Sequence, residues 1–234
     1  MPCVPKSRMR KLESKNDAFV LTADAKNPEV LDLDRLRAVL YPAPSRTKFV
    51  LEDGVGDDEL IPASVLFPIV LRESGPSVLL TQRTAHLKDH PGQISFPGGR
   101  VEPEDASSAH TALREAEEEI GLSSEHVEIV GYLPEYRTGT GYCVTPVVAI
   151  VTPPFELRPD PFEVAEIFEV PFAFLMDSAN HQRHSMHHRG KLRHYFAMPY
   201  GEYFIWGATA GIIVTLSRAL APEPGEFQAH RVLE

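Results

Sequence analysis

The spacing of hydrophobic residues changes its period along the chain, and each change predicts an element of secondary structure. Ala63–Leu71 and Ser77–Thr81 are apolar runs rich in β-branched residues, and the residues between them, Glu73 to Pro76, are typical of a turn. This pattern predicts a β-hairpin. Three further strands are predicted at Val127–Leu133, Val144–Val151 and Val164–Val170. A second hairpin is predicted from His194–Met198 and Glu202–Trp206.

Three segments have the period of an α-helix. The longest, Ala106–Ile120, stops at Gly121, a residue type that commonly follows the last turn of a helix. A shorter one, Asp32–Tyr41, is ended by prolines, and a mostly apolar one, Ala208–Leu220, lies near the end of the chain. Since strands precede and follow the long helix and the last helix can cover another sheet face, this order predicts an α/β fold with a mixed β-sheet between helices.

Composition divides the chain into three segments. Residues 1–58 begin basic and polar, contain the short predicted helix and end in an acidic, glycine-bearing loop, Glu52–Glu59. We interpret them as an N-terminal extension that packs against the domain or serves as a linker. Residues 59–222 form the predicted main domain, and residues 223–234 a C-terminal tail.

The chain is acidic, with 33 Asp and Glu residues against 23 Lys and Arg residues and a formal net charge of −10. A surface of this sign repels the nucleic-acid backbone, so we expect no nucleic-acid partner. An anionic substrate would need local basic residues or bound cations to overcome the same field.

Cysteine usage and hydropathy bear on the compartment. The two cysteines, Cys3 and Cys143, are far apart in the sequence and suggest neither a zinc site nor a disulfide. No stretch is predicted to span a membrane, and we expect no membrane partner. A cytoplasmic location is favoured, while the basic residues near the start leave organelle targeting open. The choice between a monomer and a homodimer is also open.

The long predicted helix concentrates acidic side chains on one side. On a helical wheel with Glu115 at zero, Glu119 lies about 40° to one side and Glu118 about 60° to the other. The apolar residues occupy a separate arc: Ala109, Ala112, Leu113, Ala116 and Ile120. Like charges at these spacings destabilise a helix unless something neutralises them. Three converging carboxylates therefore predict a site for a hard divalent cation such as Mg²⁺, and the alternative is a solvated acidic face.

A glycine-bearing loop and several bases precede this helix. Gly98 and Gly99, after Phe96 and Pro97, allow the backbone to approach a ligand closely. Basic residues lie just upstream or directly after the loop: Arg83, His86, Lys88, His90 and Arg100. Basic groups beside a carboxylate helix suit an anion held between a metal ion and cationic side chains.

These residues resemble a known signature. The run from Arg114 to Leu122, REAEEEIGL, resembles the second half of the Nudix box of hydrolases that cleave nucleoside diphosphates linked to another moiety. In the first half, Gly99 and Asp105 stand one residue further from Arg114 than the usual glycine and glutamate do. This lengthened box is similar to that of the coenzyme A pyrophosphatase branch of the family.

The same branch has an upstream motif that this chain matches in its spacing. The matching residues are Leu79-Leu80-Thr81-Gln82-Arg83-Thr84, Lys88, Gly92 and Phe96-Pro97-Gly98-Gly99. Two positions depart from the pattern, since Thr84 replaces a serine or alanine and Lys88 an arginine. Lysine keeps the charge but loses the two-pronged geometry of arginine. Ile205 to Ala210 also resembles the start of the family's final helix. The resemblance covers Glu59 to Leu220.

The resemblance implies a Nudix-type α/β/α sandwich and a set of roles. Glu115 and Glu119 would be ligands of Mg²⁺ or Mn²⁺, and Glu118 a further ligand or the base for the attacking water. Arg114 would orient a carboxylate of the box. Phosphate groups, including a 3′-phosphate, would be held by Arg83, Lys88, Gly98 and Gly99. The identity of the general base stays open.

The implied reaction is hydrolysis of coenzyme A or its derivatives to 3′,5′-ADP and 4′-phosphopantetheine. One alternative is a Nudix hydrolase of another nucleoside diphosphate derivative, such as ADP-ribose or NADH. The other is a domain that binds a nucleotide without turnover, although its retention of Glu115, Glu118 and Glu119 argues against that.

Two further clusters near the C-terminus allow two interpretations each. The histidines between His181 and His194 favour a polar loop over a metal site, because no cysteine joins them and Gly190 interrupts them. Alternating aromatic residues favour sheet packing over stacking on adenine: Tyr195, Phe196, Tyr200, Tyr203, Phe204 and Trp206.

Overall fold

The computed structural model of the protein describes residues 31–45, 47, 49–52, 60–87, 89–188 and 191–221. Lys88, the proposed C-terminal tail and Cys3 lie outside the described residues. The helices and strands, in chain order, are α1 (Leu33–Val39), β1 (Phe49–Leu51), β2 (Ile61–Arg72), β3 (Gly75–Arg83), β4 (Ile94–Ser95), β5 (Gly98–Arg100), α2 (Ser108–Ile120), β6 (Val127–Tyr132), β7 (Glu135–Arg137), β8 (Tyr142–Val151), β9 (Val164–Pro171), α3 (Phe172–Met176), β10 (Gln182–His188), β11 (Lys191–Tyr200), β12 (Tyr203–Trp206) and α4 (Gly207–Ala219).

Nine of the described strands form one mixed β-sheet. Its centre is the parallel pairing of β2 with β8, which runs from Ile61 opposite Tyr142 to Val70 opposite Val151. β3 continues antiparallel on the other side of β2, and β9 pairs antiparallel with β3. β5 is a short strand that also pairs with β2, and it brings the glycines of the loop onto the sheet.

Helices cover both faces of this sheet because its strands alternate apolar side chains between two cores. In β2, Leu66 and Val70 contribute to the core beneath α2, whereas Phe67 and Ile69 contribute to the core on the opposite face. The apolar stripe of α2 closes the first core, and α1, α3 and α4 close the second. The predicted α/β fold with a mixed sheet between helices is confirmed. Among the described residues, no helix is both long enough and apolar enough to cross a membrane.

The described part of the N-terminal extension is built into the same fold. Leu36 of α1 is fully buried in the second core, and Tyr41 forms a β-bridge with Tyr132. β1 pairs in parallel with β7 at an edge of the main sheet. The predicted short helix is present, and the described residues of α1 and β1 pack against the main sheet and its second core.

The histidine-rich segment differs from its prediction. The expected polar loop is instead β10, which pairs with β11 from Gln182 opposite Ala197 to His188 opposite Lys191. With β12 these strands form a separate three-stranded antiparallel sheet. Sequence periodicity fails here because the polar strand β10 carries no apolar alternation, so its pairing with β11 determines its conformation. The predicted hairpin between β11 and β12 is confirmed.

Candidate active site

The helix α2 is fixed at both ends by local hydrogen bonds. The Ser107 side chain accepts a hydrogen bond from the backbone N–H of His110 at 3.1 Å, which caps the first turn. Gly121 has a left-handed backbone conformation with φ of 68°, and its N–H bonds back to the last turn. Between these caps, the apolar stripe packs on the sheet and the acidic side of the helix faces β5 and the loop before β9.

Glu119 is the most deeply buried acid of this helix, with 5% of its surface exposed. Its Oε2 accepts a hydrogen bond from the Gly98 N–H at 3.1 Å, and its Oε1 lies 3.9 Å from an Arg83 guanidinium nitrogen. Burial raises the pKa of Glu119 to about 8, and the negative charges of Glu115 and Glu163 act in the same direction. The environment of Glu119 therefore disfavours its charged form unless a cation is present.

Glu115 lies one helical turn earlier, against β5. A Cβ atom at position 99 would lie 2.6 Å from Glu115 Oε2, so only glycine leaves room for this carboxylate. Gly98 is needed for a different reason, because its Cβ would lie 2.6 Å from the backbone Cα of Val65. Burial raises the pKa of Glu115 as well, against the opposing charge of Arg114. The two glycines thus hold the loop close to both the sheet and the acidic helix.

Arg114 contacts three acidic side chains of the box. Its Nε donates to Asp105 Oδ1 and one terminal nitrogen to Asp105 Oδ2, both at 3.1 Å. The guanidinium also lies 3.0 Å from Glu115 Oε1 and donates to Glu118 Oε2 at 2.9 Å. These contacts hold the pKa of Asp105 well below its usual range. The prediction that Arg114 orients a carboxylate of the box stays a prediction, and Glu115 and Glu118 are the helix carboxylates within its reach.

Glu118 departs from the expectation of three converging carboxylates. Its side chain is 60% exposed and bonded to Arg114, and it does not line the cavity that Glu115 and Glu119 face. Within the described part of the chain, no three Asp, Glu, His or Cys side chains form a group that could hold a metal ion. The wheel places Glu118 on the acidic side of the helix, and in the structure its carboxylate bonds to Arg114 and lies outside the cavity lining.

Glu163 is the acid that the sequence analysis missed. It lies directly before β9, lines the same cavity, and its charge raises the pKa of both Glu115 and Glu119. Thr84 holds this segment, since its hydroxyl donates to the Phe162 carbonyl at 2.8 Å and its N–H to the Glu163 carbonyl at 2.9 Å. In the sequence, Glu163 is one of several acids between residues 156 and 169, and only its position before a predicted strand sets it apart.

The upstream motif shapes the cavity through a β-bulge. The pairing of β3 with β9 shifts register between Gln82 and Arg83, and a bulge of this kind redirects side chains. Arg83 lines the cavity beside Glu119. Gly98 and Gly99 line it too, so three of the four predicted phosphate-binding residues come together. The fourth, Lys88, is not among the described residues.

The cavity has a volume of about 740 Å³, within the range of small-molecule sites. The acids Glu115, Glu119 and Glu163 lie with Arg83 and the glycine loop on its lining. The small sheet contributes a wall that includes Met186, Arg193, His194, Tyr195 and Trp206. Two of the aromatic residues that were expected to serve packing, Tyr195 and Trp206, therefore border the cavity, whereas Tyr203 stacks on Phe168 and Tyr200 packs against Phe174.

The acidic part of this lining fits a divalent cation. Glu115 and Glu119 supply oxygen ligands only, and both are destabilised as free carboxylates by burial and by their neighbours. Mg²⁺ is commonly bound by one or two carboxylates, keeps several waters and takes further oxygens from substrate phosphates. The residues present therefore suit such an ion without a complete cage of protein ligands.

The family follows from a match that spans more than half of the chain. The model of the NUDIX domain matches residues 61–193, and the chain belongs to the Nudix family. The Escherichia coli (strain K12) protein named "Uncharacterized Nudix hydrolase NudL" is 43% identical over 162 residues, which are 69% of this chain and 84% of that protein. A protein of the same name from Shigella boydii serotype 18 matches with the same identity and coverage.

Solved structures include Nudix proteins of lower similarity. A Nudix hydrolase from Alicyclobacillus acidocaldarius is 17% identical with a TM-score of 0.44 and covers 69% of this chain and 93% of its own. Family membership and the hydrolase relatives identify the chain as a pyrophosphohydrolase, an enzyme class that generally uses divalent metal ions.

Proposed function

We propose that the protein hydrolyses the diphosphate linkage of coenzyme A or its derivatives and releases 3′,5′-ADP and 4′-phosphopantetheine or its acyl form. The observation that carries this proposal is the combination of the lengthened box with the upstream motif that includes Arg83 and Thr84. In the fold these two motifs meet, because Arg83 faces Glu119 while Thr84 holds the segment that carries Glu163.

The cavity supports a substrate that is larger than a simple diphosphate. About 740 Å³ of space extends from the acids of α2 to the aromatic wall of the small sheet. Cationic side chains line it beside the acids, at Arg83, and on the wall, at Arg193. A substrate with a diphosphate and a further phosphate matches two separate cations better than one with a diphosphate alone.

The proposed roles follow the contacts. Glu115 and Glu119 would hold Mg²⁺ or Mn²⁺, which when bound neutralises diphosphate charge and lowers the pKa of a coordinated water. Gly98 and Gly99 would place backbone N–H groups near the phosphates, with Arg83 and Lys88 as phosphate-binding side chains. Arg114 positions Glu115 and Glu118. Glu118 and Glu163 are both candidates for a further ligand or for the general base.

The alternative substrates use the same chemistry on other leaving groups, such as ADP-ribose or NADH. The test incubates the purified protein with Mg²⁺ or Mn²⁺ and, separately, coenzyme A, acetyl-coenzyme A, ADP-ribose and NADH, with products identified by mass spectrometry. We expect 3′,5′-ADP from the two coenzyme A compounds at a higher kcat/KM than any product from the others. A higher kcat/KM on ADP-ribose or NADH would reject the proposed substrate and leave the enzyme class unchanged.

A further inference from the structure

The small sheet presents an arginine to the cavity that the box motifs do not include. Arg193 lies on β11 opposite Met186 of β10, and both residues line the cavity. Side chains alternate along a strand, so Tyr195 lies on the same face as Arg193. Trp206 pairs with Ala197 and lies on this face as well. One face of a three-stranded sheet therefore offers a guanidinium beside two aromatic rings.

The guanidinium of Arg193 has an unmet hydrogen-bonding requirement. Its Nε is buried, and among the described residues it has no hydrogen-bond partner. A buried donor without an acceptor is destabilising, and an arginine in a cavity suits the planar, two-pronged binding of a phosphate. The geometry thus favours an anion from outside the protein at this position.

An acid on the same cavity lining attracts Arg193 electrostatically. Glu52 also lines the cavity, accepts a hydrogen bond from the Gly139 N–H at 2.8 Å and lies 3.5 Å from the Tyr136 hydroxyl. Burial raises the pKa of Glu52, and the positive charge of Arg193 acts in the opposite direction, so the two groups attract each other.

The other arginines of the cavity already have partners in the protein. Arg83 lies beside Glu119, and Arg100 donates to the Tyr142 hydroxyl at 2.9 Å and lies over its ring. A second phosphate that binds away from the acids would therefore meet Arg193. In coenzyme A such a phosphate is attached to the ribose that carries adenine, so a cation and an aromatic surface must recognise neighbouring groups.

We propose that Arg193 is a specificity-determining residue that binds the 3′-phosphate of the substrate while Tyr195 and Trp206 pack against the adenine. The inference rests on the proposed coenzyme A substrate. It assigns the 3′-phosphate to the small sheet, whereas the sequence motifs placed it with Arg83, Lys88 and the glycine loop.

Trp206 provides a direct readout, because it is the single tryptophan of the chain. Its ring lies 5.4 Å from that of Tyr195, so a base that packs on this wall changes its fluorescence. The probes are 3′,5′-ADP and 5′-AMP, which differ only in the 3′-phosphate. We expect the wild-type protein to bind 3′,5′-ADP at least about tenfold more tightly, in line with a hydrogen bond to a charged group.

Three variants separate recognition from folding. Arg193→Gln should bring the affinities for 3′,5′-ADP and 5′-AMP to within about twofold of each other, mainly because it weakens the binding of 3′,5′-ADP. Arg193→Lys should give an intermediate ratio, because it keeps the charge and loses the two-pronged geometry. Arg183→Gln is the matched control, since Arg183 lies on β10 but on the opposite face of the small sheet, and it should keep the wild-type ratio. Thermal denaturation shows whether each variant is folded. If Arg193→Gln does not fold, the affinity ratio of Arg193→Lys tests the inference instead.

A second experiment compares the steady-state kinetics of coenzyme A and 3′-dephospho-coenzyme A hydrolysis. Arg193→Gln should raise KM for coenzyme A about tenfold or more and leave KM for the dephospho compound within about twofold. A parallel loss on both compounds, or a wild-type protein that does not prefer 3′,5′-ADP, overturns the inference. If the wild-type enzyme hydrolyses neither compound, the proposed function fails, while the binding ratio still decides the role of Arg193.

Discussion

Asp105 and Arg114 form a two-point ion pair in which both carboxylate oxygens accept hydrogen bonds from the guanidinium at 3.1 Å. Asp105 also accepts the Thr111 hydroxyl and the Glu102 N–H, each at 2.9 Å. The lengthened first half of the box therefore ends in an acid that fixes the arginine of the second half. This pair orients the Arg114 guanidinium toward Glu115 and Glu118.

Replacement of Asp105 by Asn should destabilise the fold by roughly 1.5–3 kcal/mol, because it removes charged hydrogen bonds around Arg114. The pKa of Asp105 is lowered in the folded state, so its contribution is present above about pH 4 and is lost as the pH falls through the lower folded value. Urea unfolding at pH 7 and at acidic pH measures this. The difference in the free energy of unfolding between wild type and variant should become smaller at the lowest pH. A difference that becomes larger there would contradict the role of Asp105.

Loss of a residue that only hydrogen-bonds to a metal ligand typically reduces activity roughly 10- to 100-fold. Glu119→Gln should reduce kcat/KM by more than this, because Glu119 is itself a proposed ligand. The fold should persist, because burial and the charges of Glu115 and Glu163 already disfavour the ionised form of Glu119 in the absence of metal, and a glutamine is uncharged. Activity with Mg²⁺ and Mn²⁺, and the rise in melting temperature that each ion causes, are the measurements. A variant with wild-type turnover would reject the assignment of Glu119 as a metal ligand.

Gly99→Ala and Gly98→Ala should differ in kind. At position 99 the added Cβ meets the end of the flexible Glu115 side chain, so the carboxylate is displaced, activity falls at least about tenfold and the fold is kept. At position 98 the Cβ meets the backbone of Ser64 and Val65, so stability falls by roughly 1–3 kcal/mol. Melting temperature and kcat/KM measured on both variants test the distinction. Equal losses of stability would contradict it.

Glu163→Gln should lower kcat/KM at least about tenfold, because Glu163 shares the cavity with Glu115 and Glu119. Glu156→Gln is the control, since Glu156 is an exposed acid nearby in the sequence that does not line the cavity. Glu118→Gln, compared under the same conditions, shows which acid acts in the reaction. Full activity in Glu163→Gln would return the role of further ligand or base to Glu118.

Gly211→Ala should destabilise the fold although alanine is the better helix former by about 1 kcal/mol. Gly211 lies in α4 against the ring of Tyr136, and a Cβ there would lie 2.7 Å from the Tyr136 Cε2. A rigid buried ring cannot move aside, so we expect a net loss of roughly 1–2 kcal/mol in urea unfolding. An increase in stability would show that α4 can shift on the sheet.

Features that depend only on residues close together in the chain could be predicted from the order of the amino acids. The hairpin of β2 and β3, the end of α2 at Gly121, and the placement of Glu115 and Glu119 on one side of the helix all follow from local periodicity and from the position of Gly121. These features need only the 3.6-residue and two-residue repeats of helices and strands, which these segments display directly.

Features that join distant segments became visible in the three-dimensional structure. Glu163 lines the cavity with the acids of α2 because β9 pairs with β3 and Thr84 anchors its loop, and Arg114, which Asp105 holds, bonds to the exposed Glu118. The wall of Arg193, Tyr195 and Trp206 exists because β10, β11 and β12 form their own sheet. Such contacts depend on strand register and on how the sheets pack, and a local pattern of polar and apolar residues does not specify either across long separations in sequence.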